Sequence, residues 1–435
     1  MTTESRAEEI LARLEHEGIK LGNERMLALL SALGDPQLRL PAVLVAGTNG
    51  KGSVSSLLAQ VAREAGYKVG LYTSPHLESP AERIRVDGAD IPEPALTRWL
   101  ELLLAESARL GLEKPTYFEA LTLAAFLHFE GEKVDLAVLE VGLGGRLDAT
   151  NVCRPLLSVI TAIGFDHEKV LGDTLAAIAG EKARVARSGR PLVAWTALPE
   201  VASTLEDYSR EIGARLESAS ELVTVEALGP DGLGERVAIR SPRHHLETTT
   251  RLLGRHQQVN LALAVLAAEK LEGAGFVRVD GAAIAAGIAA CSWAGRLEWL
   301  RDREGREVLI DAAHNPDGAE ALAGYLEELG RPFDLLFGAL GDKAVEKMLP
   351  LLARGARRVT LTRPPSPRAV DPRGWIGLLP GRQPSAFSDA PAIALQHALG
   401  EAGGIPLVIC GSIYLIGELR RVLRQDYGFV SSISG

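Results

Sequence analysis

Short apolar runs alternate with amphipathic stretches along most of the chain, the pattern of a parallel sheet covered by helices. Residues 4–17 and 24–33 have helical spacing, and 42–46 (AVLVA) is the unbroken apolar run that a doubly buried strand requires. A Gly-rich turn leads into a predicted helix over 52–65 and a strand over 68–72. Helices over 94–110, 117–130 and 172–187 and strands over 134–141, 157–162 and 191–195 continue the series. Between 222 and 251 the helical period lapses into short strands about a GPDG turn, an antiparallel excursion. A helix over 257–270 precedes a loose stretch with Trp293, Gly295 and Arg296. A second alternation follows, with strands over 306–311, 334–338, 357–362 and 406–410 and helices over 317–329, 343–353, 389–400 and 412–424. Pro364, Pro365 and Pro367 make 363–373 a loop. The expected fold is α/β: an N-terminal domain over 1–295 with a mostly parallel sheet, and a smaller Rossmann-like domain over 296–435. The boundary falls near 292–300.

A length of 435 residues suits two or three domains with ample cores. Cys153, Cys291 and Cys410 lie far apart with no CxxC spacing, which excludes a disulfide framework or a zinc knuckle. No window approaches about eighteen uninterrupted apolar residues, and the N-terminus is charged and helical rather than signal-like. The expected setting is a reducing one, the cytoplasm, with no membrane partner. The formal charge is -9, from 47 basic and 56 acidic residues without a like-charge run, which disfavours nucleic acid as a partner.

The strongest local signal is VLVAGTNGKGSVSSLLAQV, residues 43–61. A buried strand runs into Gly47, Thr48, Asn49, Gly50, Lys51, Gly52 and Ser53 and then into a helix. Glycines let backbone N–H groups turn inward on a phosphate, and the helix N-terminus adds a favourable dipole. Lys51 supplies a point charge for the β- and γ-phosphates. The loop departs from G-x-x-x-x-G-K-[ST], because Gly52 stands between Lys51 and Ser53. Other residues carry less when read alone. Glu140 ends an apolar strand before GLGG, where open parallel sheets present ligands, yet an exposed strand-end Glu is ordinary. His167 reads as a loop residue, Lys182 as a solvated helix lysine and Arg296 as a solubilising linker residue. Phe118 is either helix core or an aromatic face for a flat ring.

The loop variant resembles that of the folylpolyglutamate synthase and dihydrofolate synthase family, itself related to the muramyl peptide ligases. The likeness extends to LYTSPHL (71–77), ERIRVDG (82–88), FEALTLAAF (118–126), LEVGLGGRLDATN (139–151), GFDHEKVLG (164–172) and GEKA (180–183). It continues through GRHQQVN (254–260), AGRLE (294–298), DAAHNP (311–316) and GSIYLIGEL (411–419), in the family's order. Ala294 stands where the family often has Pro.

The resemblance implies a ligase that uses ATP and Mg²⁺ to join L-glutamate to a folate carboxylate through an acyl phosphate. Lys51, Lys182 and His314 are then the catalytic residues. Residues 47–53 cradle the phosphates, Asn260, Arg296 and His314 contact the nucleotide, and Asp311 faces its ribose or base. Ser74, Glu140 and His167 surround magnesium with Lys182, which the family carries carbamylated. For the second substrate it points to Leu21, Gly22 and Arg25, to Phe118 and Glu119, and to Leu147, Asp148 and Ala149. Phe118 would stack on a pterin ring, Asp148 and Arg25 are polar contacts, and Arg83 is the alternative partner for the substrate carboxylate.

Within the family some members glutamylate dihydropteroate, some extend the polyglutamate tail, and some do both. A compact bacterial-like chain without a targeting peptide suits the last, acting as a monomer. Muramyl-type ligases carry an additional N-terminal domain, and the chain before residue 47 is too short for one. A P-loop regulatory switch is the reading from another class; it would hydrolyse ATP without glutamate and bind no pterin.

Overall fold

In the computed structural model, residues 5–15, 22–380 and 385–431 are described. They form two compact units: Met1–Leu228, Arg236–Thr249 and Gln258–Cys291 in the first, and Gly229–Glu235, Thr250–Gln257 and Ser292–Gly435 in the second.

The first unit is built on eight strands, β1 (Ala42–Ala46), β2 (Val69–Tyr72), β3 (Ile84–Val86), β4 (Ala89–Asp90), β5 (Leu136–Glu140), β6 (Pro155–Ile160), β7 (Pro191–Ala194) and β8 (Arg215–Ser218). Their spatial order is β4-β3-β2-β5-β1-β6-β7-β8. All neighbours pair parallel except β2 with β3 and β3 with β4. β1 and β5 are buried at every position, which is why they read as continuous apolar runs. The helices are α1 (Arg6–Glu15), α2 (Glu24–Ala32), α3 (Lys51–Glu64), α4 (Glu93–Arg109), α5 (Tyr117–Gly131), α6 (Glu168–Leu171), α7 (Leu175–Ala183) and α8 (Pro199–Ile212). A short α9 (Ala219–Leu222) leads to a three-stranded sheet of β9 (Thr224–Asp231), β10 (Gly234–Arg240) and β11 (His245–Thr250), then α10 (His256–Gly273) and α11 (Gly281–Ala290).

The second sheet comprises β12 (Glu298–Arg301), β13 (Glu307–Ile310), β14 (Phe333–Phe337), β15 (Ala356–Thr362), β16 (Ser385–Ser388), β17 (Leu407–Cys410) and β18 (Val430–Ser431), in the order β16-β15-β14-β17-β13-β12-β18. Its first five strands in that order are parallel, and β12 pairs antiparallel with β13 and β18. With it go α12 (Pro316–Leu329), α13 (Val345–Ala353), α14 (Pro391–Glu401) and α15 (Ile413–Gln425). The α/β expectation holds for both units.

Several elements differ from the sequence reading. The helix expected over 172–187 is shorter, α7 alone, because Gly172 takes a φ of +100° and the Thr174 side chain caps α7 by accepting from the Ala177 N–H, and the separate α6 ends before it at Leu171. β12 lies where a loose stretch was expected, and α8, β8 and α11 have no counterpart in that reading, although α8 buries Val201, Leu205 and Ser209 at helical spacing. α11 (GAAIAAGIAA) has no polar face to alternate with, and it packs by contact with α3: a Cβ at Gly287 would sit 2.5 Å from Val61 Cα. Substituting Gly287→Ala is therefore expected to push α11 off the phosphate-loop helix. The expected loss is about 1–3 kcal/mol, seen as a lowered urea midpoint.

Candidate functional site

Register places the chemistry. In the first sheet Val45 of β1 lies beside Glu140 of β5 on one side, and Ala46 lies beside Ile160 of β6 on the other. Tyr72 of β2 pairs with Leu139. The phosphate loop, Glu140, Ser74 and the segment leading to His167 thus leave one edge of the sheet together, at the carboxyl ends of adjacent parallel strands. Gly47 has a φ of +146°, and a Cβ there would fall 1.8 Å from Thr161 Oγ1, so only glycine fits. Gly50, at φ +90°, starts α3, with the Asn260 amide oxygen 2.1 Å from where a Cβ would project. Asn260 is thereby fixed against the phosphate loop, and Gly52 and Ser53 follow in the first turn of α3. The Lys51 ammonium donates to the Thr48 carbonyl at 3.1 Å.

Glu140 is 5% exposed and accepts the Ser74 N–H at 3.0 Å. It is not the solvated strand-end carboxylate that its sequence position suggests. Lys182 is also 5% exposed, and its ammonium donates to the Gly47 carbonyl at 2.7 Å. Burial, and next the charge of Lys51, hold its pKa down to about 7, against the opposing pull of Asp166 and Asp148. The solvated-lysine reading is thus overturned by tertiary packing. His167 opens α6 in a left-handed conformation, φ 55°, with a side chain 48% exposed and 3.9 Å from Asp166. Among the described residues no three His, Cys, Asp or Glu side chains converge as a ready metal cage. One buried carboxylate and a serine at a phosphate loop suit Mg²⁺ nonetheless, because that ion keeps waters and takes substrate phosphates as further ligands.

On the acceptor side the expected residues divide. Leu21 lies outside the described residues. Gly22 has a φ of +119° and sits against the Glu24 carboxylate, and Leu147 is half-buried. Phe118 packs onto the Gly142 backbone, where a Cβ would meet its ring at 2.4 Å, with its centroid 6.0 Å from that of Tyr72. Glu119 is engaged twice. It closes a capping box with Thr116 at the start of α5, and it pairs with Arg25 through two guanidinium nitrogens. Arg25 is thus already neutralised. Asp148 accepts from the Leu143 and Thr150 N–H groups and from the Thr150 hydroxyl, so its carboxylate builds the loop that contains Leu147 and Ala149.

Arg83 is different. It is buried, donates to His76 Nδ1 at 3.0 Å and lies 5.2 Å over the Tyr117 ring, and no carboxylate pairs with it among the described residues. Of the two arginines, it is the one with charge to offer.

In the second unit Asp311 follows β13 and accepts the Leu297 and Ala313 N–H groups at 2.9 and 2.8 Å. His314 Nδ1 lies 2.8 Å from the Ala312 carbonyl, and Arg296 donates to the Gly295 carbonyl. Two residues that sequence reasoning passed over shape this loop. Glu298, 1% exposed, accepts the Gly295 N–H and a two-nitrogen fork from Arg420. His256 is half-buried near Asp311 and Arg296, and desolvation lowers its pKa. Both stand inside or beside motif blocks, but no local spacing distinguishes them.

A Mur ligase middle domain model matches residues 45–268, and a Mur ligase glutamate ligase domain model matches 295–412. The Bacillus subtilis dihydrofolate synthase/folylpolyglutamate synthase is 34% identical, over 94% of this chain and 96% of that protein. The chain belongs to the folylpolyglutamate synthase and dihydrofolate synthase family. The folylpolyglutamate synthase of Lacticaseibacillus casei is likewise 34% identical, over 92% of this chain and 94% of its own. Among solved family structures, the Mycobacterium tuberculosis folylpolyglutamate synthase complexed with ADP superposes with a TM-score of 0.86 at 31% identity. It covers 97% of this chain and 99% of its own. An Escherichia coli member in complex with DHPP and ADP gives 0.85 at 31% identity, covering 98% and 99%.

The neutral state of His76 yields a pH prediction for this family member. Burial, and next the charge of Arg83, lower its pKa from 6.5 to about 3. Between those values the unfolded chain binds the proton and the folded chain does not. Stability is therefore lost as pH falls below 6.5, fully so by about pH 3. His76→Asn keeps an acceptor for Arg83 without the basic nitrogen, and should flatten the decline in melting temperature between pH 6.5 and 4.

Proposed function

We propose that this chain joins L-glutamate to a folate carboxylate, driven by ATP, with both dihydropteroate and tetrahydrofolate as acceptors and a monomer as the acting form. One observation carries the reading: the phosphate loop, Glu140 and Lys182 meet at a single sheet edge in a chain of this family. We place the domain boundary at 295/296, a choice supported by the second family model starting at residue 295.

Amide formation in water needs an activated carboxylate. The γ-phosphoryl of ATP passes to the acceptor carboxylate, giving ADP and an acyl phosphate. The α-amine of glutamate then attacks the acyl carbon, and phosphate leaves. The chain's part is positioning and charge neutralisation. Backbone N–H groups at the start of α3 face the phosphates, and Lys51 swings from the Thr48 carbonyl to their oxygens. Asn260, Arg296, Asp311 and His314 are the proposed nucleotide contacts, with His314 adding charge compensation. Arg83 receives a substrate carboxylate, since Arg25 is held by Glu119, and Phe118 offers its free face to the pterin. Magnesium, when bound, supplies positive charge to the phosphate oxygens, and Ser74, Glu140, His167 and carbamylated Lys182 would hold it. The lowered pKa of Lys182 supports the carbamate, because only the neutral amine reacts with CO₂, releasing a proton as the N–C bond forms.

The test is phosphate release from MgATP with L-glutamate, following products by mass with 7,8-dihydropteroate or tetrahydrofolate as acceptor. Glutamate-dependent turnover with both is expected. Turnover with one alone would narrow the activity, and ATP hydrolysis independent of glutamate would favour a nucleotide switch. In the same assay Lys51→Met is expected to lower kcat on the order of 10²–10³-fold with the fold intact, the usual effect of removing a group aimed at developing charge.

A further inference from the structure

The first half of the phosphate loop is bonded to the segment that follows β6. The Thr48 and Asn49 N–H groups both donate to the Ala162 carbonyl, at 2.9 and 3.2 Å, and Asn49 forms an antiparallel bridge with Ala162. The Thr48 hydroxyl closes the connection: it donates to the Gly164 carbonyl at 3.0 Å and accepts the Gly164 N–H at 3.1 Å. Both polar groups of Thr48 that a phosphate could use as donors are thus turned to 162–164, which removes Thr48 from the phosphate cradle expected over 47–53. Three residues beyond Gly164 stands His167. Its backbone is defined, since its carbonyl accepts from Val170 and Leu171 and its N–H donates to Asp166. Its half-exposed ring, Nε2 3.9 Å from the Asp166 carboxylate, stands at the end of the backbone path that begins at Gly164.

We propose that Thr48 is a positioning residue for His167, coupling cation affinity to the phosphate loop through a hydroxyl that contacts neither phosphate nor cation. This rests on the reading that His167 serves the cation. Thr48 and His167 then form one unit. Loss of the hydroxyl frees the 164–167 segment and moves the imidazole, while the glycine and lysine geometry of the loop stays with Gly47, Gly50 and Lys51. The effect belongs to the class of supporting contacts whose removal weakens metal binding about 10- to 100-fold.

The experiment uses the full chain, Mn²⁺ as a paramagnetic stand-in for Mg²⁺, and ADP. Mn²⁺ affinity is read by electron paramagnetic resonance, and ADP affinity in chelator by calorimetry. Thr48→Val, which keeps the shape and removes the hydroxyl, should weaken Mn²⁺ binding about 10- to 100-fold and leave metal-free ADP affinity unchanged. Thr48→Ser should restore both to wild type, and Thr48→Ala serves if the valine variant fails to fold. His167→Ala should match Thr48→Val, with the double variant no worse than either. Loss in His167→Ala without loss in Thr48→Val overturns the coupling. Parallel loss of Mn²⁺ and metal-free ADP affinity in Thr48→Val also overturns it, by making Thr48 a phosphate contact. Wild-type affinity in His167→Ala overturns the cation reading of His167 and the coupling with it.

Discussion

The parallel pairing of β1 with β5 and β6 fixes where three different chemistries meet. Val45 beside Glu140 and Ala46 beside Ile160 leave the chain no freedom in how it departs the sheet. At the next residue, Gly47, the backbone passes against Thr161 with no space for a side chain. The phosphate cradle, the buried acid and the path to His167 are therefore set by one ladder of backbone hydrogen bonds. Such a ladder is stiff because both faces of the sheet are covered, and stiffness is what phosphoryl transfer asks of a protein that contributes position more than covalent chemistry.

Charge is arranged on that frame with one unstable feature. Two lysines, Lys51 and Lys182, lie close enough to repel, and Lys182 is buried. An unmodified ammonium there is costly, which is why its proton is held loosely despite the bond to the Gly47 carbonyl. A carbamate at the same nitrogen would replace repulsion toward Lys51 with attraction and add anionic oxygens beside Glu140's edge of the sheet. A loosely held proton at this nitrogen is the condition that the carbamate proposed for Lys182 requires.

The α/β architecture was legible because doubly buried parallel strands must be written as unbroken apolar runs, and β1, β5 and β17 are. α11 was not, because an Ala/Gly helix that packs through Gly287 has no polar face to mark its period. In the site, residues 47–53 were legible because a phosphate cradle is local: glycines, a lysine and a helix start are adjacent in sequence. The burial of Lys182, the capture of Arg25 by Glu119 and the Thr48–Gly164 contact were not, since each joins segments far apart in the chain. Helix propensity cannot tell a solvated lysine from one under a loop carbonyl. Resemblance named Lys182 and Arg25 alike, and only packing separates a charge that is available from one that is already paired.

Asp148 and Asp311 each build a loop, which bears on the ligand roles proposed for them. Each follows a strand, is buried and accepts backbone N–H groups from the loop it organises. For Asp311 those donors are Leu297, in a left-handed conformation at φ 46°, and Ala313. One carboxylate therefore holds the residues flanking Arg296 and His314 in register. A carboxylate has about four lone-pair directions, and two bonds leave others for a ribose hydroxyl. The two roles reinforce each other, because an oxygen oriented by the backbone presents its remaining lone pairs in a fixed direction. In Asp148 the balance falls the other way: three bonds, one from the Thr150 hydroxyl, and burial that raises its pKa leave it chiefly a builder of the 143–150 loop. That leaves the loop it shapes and Arg83, whose charge no acid of the described residues meets, as the proposed substrate contacts on that side.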